Sequence, residues 1–175
     1  MREFDRKLIL EDGQEFYGYG FGGQGERICE IVFNTSMVGY QEILSDPSYT
    51  DQAVGMTYPL IGNYGMAHED YETDIPSMGA LIVREYNDAP SNFRSSACLG
   101  QVMEQYGIPG ICGVDTRRLT RSIRDFGSRK ALVAKASTPL DQGLGMLNGY
   151  EMRQDQVARV TLHPSRFNCL RIPLL

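Results

Sequence analysis

Apolar and polar positions alternate through the first third of the chain, then change period. Residues 7–11 form a short apolar run that reads as a strand, and Asp12-Gly13 behind it is a strong hairpin dipeptide. Residues 15–19 are the returning strand, and the glycines of 18–25 predict a turn. Over residues 26–34, Ile28, Glu30 and Val32 share one face, while Cys29, Ile31 and Phe33 share the other. The second face is wholly apolar and is expected in the core. A polar turn then leads into a short helix and the turn Asp46-Pro47-Ser48-Tyr49. Residues 52–58, closed by Pro59, and residues 78–84 read as further strands, the latter buried and central.

Beyond this point the spacing becomes helical. Leu99, Val102, Met103 and Tyr106 fall at i, i+3, i+4 and i+7. Ser95 or Ser96 can cap that helix, Gly107 ends it, and Pro109-Gly110 prevents its continuation. Residues 111–114 are a short strand. Asp115 is the expected N-cap of a second helix, with Leu119, Ile123 and Phe126 on its inner face and Gly127 as its stop. Residues 131–136 are a last strand. Strands first, then β-α-β-α-β, predicts an α/β domain (α+β mixed) with a mixed sheet.

Composition adds a core and a charge asymmetry. The chain has 175 residues, 42% of them hydrophobic, enough for one domain with a real interior. A net charge of -5 argues against a nucleic-acid partner. Residues 1–114 hold 6 basic and 17 acidic side chains, whereas residues 115–135 hold 7 basic and 2 acidic. Within that basic segment Arg117, Arg121 and Arg124 fall at i, i+4 and i+7 and share a helix face, with Arg118 off the line. Guanidinium groups in a row can grip carboxylates across an interface. They can equally face water, and Arg124 and Arg129 complement the helix dipole in either case. Both readings stay open on the pattern alone.

Candidate chemistry is sparse. The four cysteines, at 29, 98, 112 and 169, form no CxxC pair, which argues against zinc. The charged N-terminus is no signal peptide and no apolar run approaches membrane length, so a soluble, cytoplasmic protein without membrane contact is expected. Gly18-Tyr19-Gly20-Phe21-Gly22-Gly23 spells a dinucleotide fingerprint, but a strand rather than a helix follows, so no helix N-terminus can hold a pyrophosphate. The acidic run His68-Glu69-Asp70-Tyr71-Glu72 with Asp74 matches no metal-ligand spacing and reads as a solvated loop. The histidines, His68 and His163, lie in that loop and in the tail, and no nucleophile elbow is present. No catalytic set and no metal site is therefore expected. The segments 35–40 and 46–49 are dense in hydroxyl and amide groups, which suits a binding surface and a well-capped turn equally.

Five motifs in order then carry a resemblance: Leu-Glu-Asp-Gly at 10–13, residues 30–49, Thr-Tyr-Pro-Leu-Ile-Gly-Asn-Tyr-Gly at 57–65, Ser-Asn-Phe-Arg at 91–94, and Ile-Cys-Gly-Val-Asp-Thr-Arg-Arg-Leu-Thr-Arg at 111–121. Residues 1–161 resemble the N-terminal domain of the small subunit of glutamine-hydrolysing carbamoyl phosphate synthetase. The resemblance implies a three-layer ββα swivelling-type domain. It implies a non-catalytic part of a ligase complex serving arginine and pyrimidine synthesis. In that family this domain docks to the large subunit, which uses ATP and bicarbonate. It also adjoins a class I glutaminase domain that releases ammonia from L-glutamine. The serine of the Asp-Pro-Ser-Tyr turn, here Ser48, is implied to line the glutamine pocket. The Cys-His-Glu set lies in the second domain, and no position of this chain matches it. No cofactor is expected here, since ATP and metal ions would belong to the large subunit. Partners expected are the large subunit, with Arg117, Arg121 and Arg124 as candidate contacts, the glutaminase domain and glutamine. Residues 162–175 match no part of that pattern and stand as an unassigned tail. A truncated paralogue acting as a stand-alone binding module is the alternative.

Overall fold

A strand buried along its whole length must be covered on both faces, and β1 (Arg6–Leu10) is such a strand. The computed structural model describes residues 2–66, 72, 75–90 and 97–152. In it β1 finds both covers because the sheet closes on itself. The order around the barrel is β1, β2 (Glu15–Gly22), β8 (Pro109–Cys112), β6 (Ala80–Ile82), β4 (Gln52–Met56), β3 (Arg27–Asn34) and β9 (Arg129–Lys135). The arc from β3 through β4 and β6 to β8 is parallel. The arc from β8 through β2, β1 and β9 back to β3 is antiparallel. A separate two-stranded sheet pairs β5 (Leu60–Ile61) with β7 (Glu85–Tyr86) in parallel. The expected α/β domain with a mixed sheet is what the chain forms.

Strand alternation sorts the side chains into an inner and two outer cores. Leu8 and Leu10, Phe16, Cys29 and Ile31, Ile82, Ile111 and Val133 pack inside the barrel. Helix α3 (Thr116–Phe126) sends Leu119 and Ile123 into the same interior. It sits at the mouth beside the β1–β2 hairpin, where Gln14 Nε2 donates to Ser122 Oγ at 3.0 Å. Arg129 holds the same corner, donating to Asp12 Oδ2 at 2.9 Å. The neighbouring strands keep small residues there. A Cβ on Gly55 would stand 3.4 Å from Leu119 Cδ2. Outside the parallel arc, helices α1 (Tyr40–Ser45) and α2 (Leu99–Gln105) cover Val54 and Leu81 with Leu44, Leu99 and Met103. Outside the antiparallel arc, α4 (Leu140–Asn148) covers Ile9, Leu132 and Ala134 with Leu147.

β1 also carries two buried cations, each with partners. Lys7 Nζ donates to Glu15 Oε1 at 2.5 Å and lies 5.3 Å from the Tyr17 ring centroid. Desolvation pulls its pKa down, but Glu15 and Tyr17 more than compensate and leave it above the ordinary value. The Arg6 guanidinium donates to the Gly23 carbonyl at 2.9 Å, and burial lowers its pKa against the pull of Asp5 and Glu26.

The structure corrects several expectations. The glycines of 18–25 do not form a turn throughout, since β2 runs on to Gly22 and pairs Tyr19 with Cys112 and Phe21 with Gly110. A Cβ on Gly18 would lie 2.3 Å from the Cys112 carbonyl oxygen, so glycine serves close strand approach here. Strand β8 begins at Pro109 rather than 111, and β4 stops at Met56. The N-cap of α2 is Cys98, whose N–H donates to Gln101 Oε1 at 3.4 Å. Ser95 and Ser96, the 91–94 motif, most of the acidic run at 68–74, and everything from 153 onward, the tail included, lie outside the described residues. Phe126 is not on a buried face: it is 74% exposed. Asp115 does cap α3, accepting from the Arg118 N–H at 3.0 Å, and Gly127 ends it at φ 83°.

Two predictions follow from the interior. Leu119→Ala is expected to cost about 2–5 kcal/mol in chemical denaturation, because the barrel mouth cannot collapse around the void. Burial pushes the Cys29 thiol up to about 12, against the pull of Arg27. An unfolded thiol titrates at about 8.5. The neutral thiol's contribution is therefore complete below that pH and is lost as pH rises toward the folded value. Native Cys29 is expected to resist alkylation at pH 8.5 and to react on unfolding, as mass spectrometry of labelled peptides would show.

Candidate functional site

The segment joining β3 to β4 is short, polar and tightly held. Asn34, the last residue of β3, accepts from the Ser36 N–H at 2.7 Å and donates through Nδ2 to the Tyr49 hydroxyl at 3.0 Å. One side chain thus ties the 35–38 tip to the turn carrying Ser48. Gly39, at φ 86°, turns the chain into α1. The Tyr64 phenol oxygen accepts from the N–H groups of Gly39 and Tyr40 at 2.9 and 3.0 Å, satisfying donors a helix start leaves open. Its ring stacks on Tyr40 at 4.1 Å, and the Tyr40 hydroxyl donates to the Gly65 carbonyl at 2.9 Å. Burial, with Tyr64 beside it, raises the Tyr40 pKa, so this phenol stays protonated.

At the far end of α1, Pro47–Tyr49 forms one turn of 3-10 helix. Asp46 caps it by accepting from the Ser48 N–H at 2.8 Å, and Thr50 Oγ1 donates to the Pro47 carbonyl at 2.7 Å. Ser48 itself is exposed, and its hydroxyl makes no hydrogen bond among the described residues. A hydroxyl held on a doubly capped turn can donate to and accept from a polar ligand with little ordering cost. Met37 and Val38 at the tip are 73% and 74% exposed.

The arginine face is on a different element. Arg117, Arg121 and Arg124 are exposed on α3, as their spacing predicted. Arg124 pairs with Asp125 at 2.8 Å. Arg117 and Arg121 make no ion pair among the described residues. Arg118 stands apart, its guanidinium 4.8 Å from the Phe16 ring centroid. No hydrogen bond or ion pair among the described residues joins this face to the Ser48 turn. Asn34 and Tyr64 were not singled out by the sequence pattern. The Asn34 contact to residue 36 is a local turn habit of asparagine, but nothing in spacing marks Tyr64 as the cap of a helix so far upstream.

The described residues contain no cluster of three His, Cys, Asp or Glu side chains suited to a metal. Among them no helix is long and apolar enough to cross a membrane. What the fold defines is a barrel domain that presents a rigid polar turn and a basic helix face. Comparison with known proteins is consistent with that class. Residues 8–133 match the family model for the carbamoyl-phosphate synthase small chain, CPSase domain, and the chain belongs to that family.

Similar proteins carry the same family name. The carbamoyl phosphate synthase small chain of Oceanobacillus iheyensis is 47% identical over 156 residues, covering 89% of this chain and 43% of that protein. The pyrimidine-specific small chain of Bacillus subtilis is 44% identical over 173 residues, covering 97% and 48%. The pyrimidine-specific small chain of Halalkalibacterium halodurans is 48% identical over 156 residues, covering 89% and 43%. The chain therefore spans less than half the length of these relatives.

Asn34→Ala is expected to lower stability by about 1–2 kcal/mol, since two hydrogen bonds go at once. Amide exchange at Ser36 should accelerate with it, while exchange at the Tyr64-capped start of α1 stays at the wild-type rate.

Proposed function

We propose that this chain is the non-catalytic N-terminal domain of a glutamine-hydrolysing carbamoyl phosphate synthetase small subunit. Its two roles are to dock on the large synthetase subunit through Arg117, Arg121 and Arg124, and to lend Ser48 to a glutamine pocket that a glutaminase domain completes. The observation that carries the reading is the pairing of the family match with a domain that holds the exposed Ser48 on a capped turn and presents Arg117 and Arg121 on an exposed helix face. Support for the docking role comes from the exposed guanidinium groups of Arg117 and Arg121, which have no carboxylate partner among the described residues. Support for the pocket role comes from Ser48, exposed on a turn fixed by Asp46 and Thr50. The chemistry, with ATP and any metal ion, belongs to the partner subunit and to the glutaminase domain. Cytoplasmic placement follows the biosynthetic role.

The test is a calorimetric titration of this chain against a purified large subunit at low and high salt. One-to-one binding that weakens as salt rises is expected, because exposed charge pairs are screened within about 10 Å at 0.1 M. Replacing Arg117, Arg121 and Arg124 together by Ala should weaken it and flatten the salt dependence. Unchanged affinity in that variant would reject the arginine face. Glutamine incubated with the chain alone should remain unhydrolysed; ammonia release that survives Ser48→Ala would overturn the non-catalytic assignment.

A further inference from the structure

The turn that carries Ser48 is held by two kinds of bond with different consequences. Within residues 46–50 the bonds are local. Asp46 accepts from the Ser48 and Tyr49 N–H groups, and the Pro47 carbonyl accepts from the N–H and the hydroxyl of Thr50. These set the shape of the turn and leave open where it stands on the barrel. Two side-chain hydrogen bonds tie residues 46–50 to the rest of the described chain. Thr50 Oγ1 lies 2.8 Å from Ser77 Oγ, just before β4 begins. Tyr49, the immediate neighbour of Ser48, accepts from Asn34 Nδ2 at 3.0 Å.

Asn34 is fixed to the barrel wall on its own account. Its backbone pairs with Met56 in the parallel β3–β4 ladder, and its carbonyl accepts from the Thr57 N–H at 3.0 Å. Its side-chain amide is used at both ends, since Oδ1 accepts from the Ser36 N–H at 2.7 Å while Nδ2 reaches Tyr49. A planar amide held at both ends has a set orientation. Tyr49 is half-buried, its ring packed against the core outside the parallel arc. We infer that Asn34, acting through Tyr49, is a positioning residue: it places the Ser48 hydroxyl against glutamine without touching the ligand. This rests on the reading that Ser48 lines a glutamine pocket, and it adds the barrel residue on which that pocket depends. A hydroxyl held in place before the ligand arrives binds it at a smaller ordering cost. Loss of the tie therefore falls on substrate binding and leaves the bond-breaking step, which the reading gives to another domain, unaltered.

The experiment measures glutamine hydrolysis by the complete synthetase, in which a glutaminase domain follows these residues, and compares Ser48→Ala, Asn34→Ala, Asn34→Asp, Tyr49→Phe and the Asn34→Ala/Tyr49→Phe double variant. Asn34→Ala and Tyr49→Phe are each expected to raise KM for glutamine about threefold to tenfold, the range of one hydrogen bond, with kcat within about twofold of wild type. The double variant should be no worse than the worse single one, since both changes remove the same bond. Asn34→Asp should recover most of the loss, because a carboxylate can accept from both the Ser36 N–H and the Tyr49 O–H. Tyr49→Phe keeps the packed ring and removes only the bond, so the test stands even where Asn34→Ala folds poorly. A raised KM in Ser48→Ala beside a wild-type KM in Tyr49→Phe would overturn the positioning role and leave the pocket standing. Increments that add in the double variant, or a fall in kcat at constant KM, would overturn it as well. A wild-type KM in Ser48→Ala would overturn the pocket and the positioning role together.

Discussion

Leu119 and Ile123 share the barrel interior with Ala53 and Ala80, and a Cβ on Gly55 would stand in van der Waals contact with Leu119, so the helix fills the room these small residues on β4 and β6 leave. This one packing arrangement decides a great deal. It plugs the open end of a seven-stranded barrel whose wall has no edge left to pair. It fixes the rotation of α3, and so decides that Arg117, Arg121 and Arg124 look outward. It also draws the β1–β2 hairpin onto the helix through Gln14, Asp12 and Arg129. A surface residue on this helix thus inherits its position from the interior.

The same logic separates scaffold from function. Among the described residues, the groups whose pKa moves most are occupied with holding the fold. Burial keeps the Cys29 thiol, the Tyr40 phenol and the Tyr86 phenol protonated, with Tyr86 also donating to Asp88 at 2.6 Å. None of them is poised near neutrality as a general acid or base would be. The Ser48 hydroxyl, on its capped turn, and Arg117, Arg121 and Arg124 are exposed. That inventory suits positioning and recognition.

Much of this was written in local pattern. The apolar face of Cys29, Ile31 and Phe33, the Asp115 cap and the Gly127 stop are where alternation and capping chemistry put them. Closure of the barrel was not, because it depends on pairing β2 with β8 and β3 with β9, partners distant in sequence whose period says nothing of register. Helix α4 hid behind its glycines. Leu140, Leu144 and Leu147 keep helical spacing, but Gly143 and Gly145 lower the propensity. Gly143 is there because a Cβ would stand 2.4 Å from Ile9 Cδ1. Phe126 shows the converse limit: periodicity gives a residue its direction and cannot say where the barrel ends. Resemblance singled out Ser48 and spacing singled out the arginines, and the structure leaves all of them exposed. The ties from Asn34 and Tyr64 were not legible, since each links positions that meet only after the chain has folded.

The central claim is that the outward face of α3 is the docking surface of this domain. Hydrogen–deuterium exchange of the chain, free and bound to a purified large subunit, tests it most directly. The account expects slowed exchange in the bound state over residues 117–126 and an unchanged pattern over α4 on the opposite arc. Binding with protection elsewhere and none on α3, or no binding by a folded chain, would contradict it.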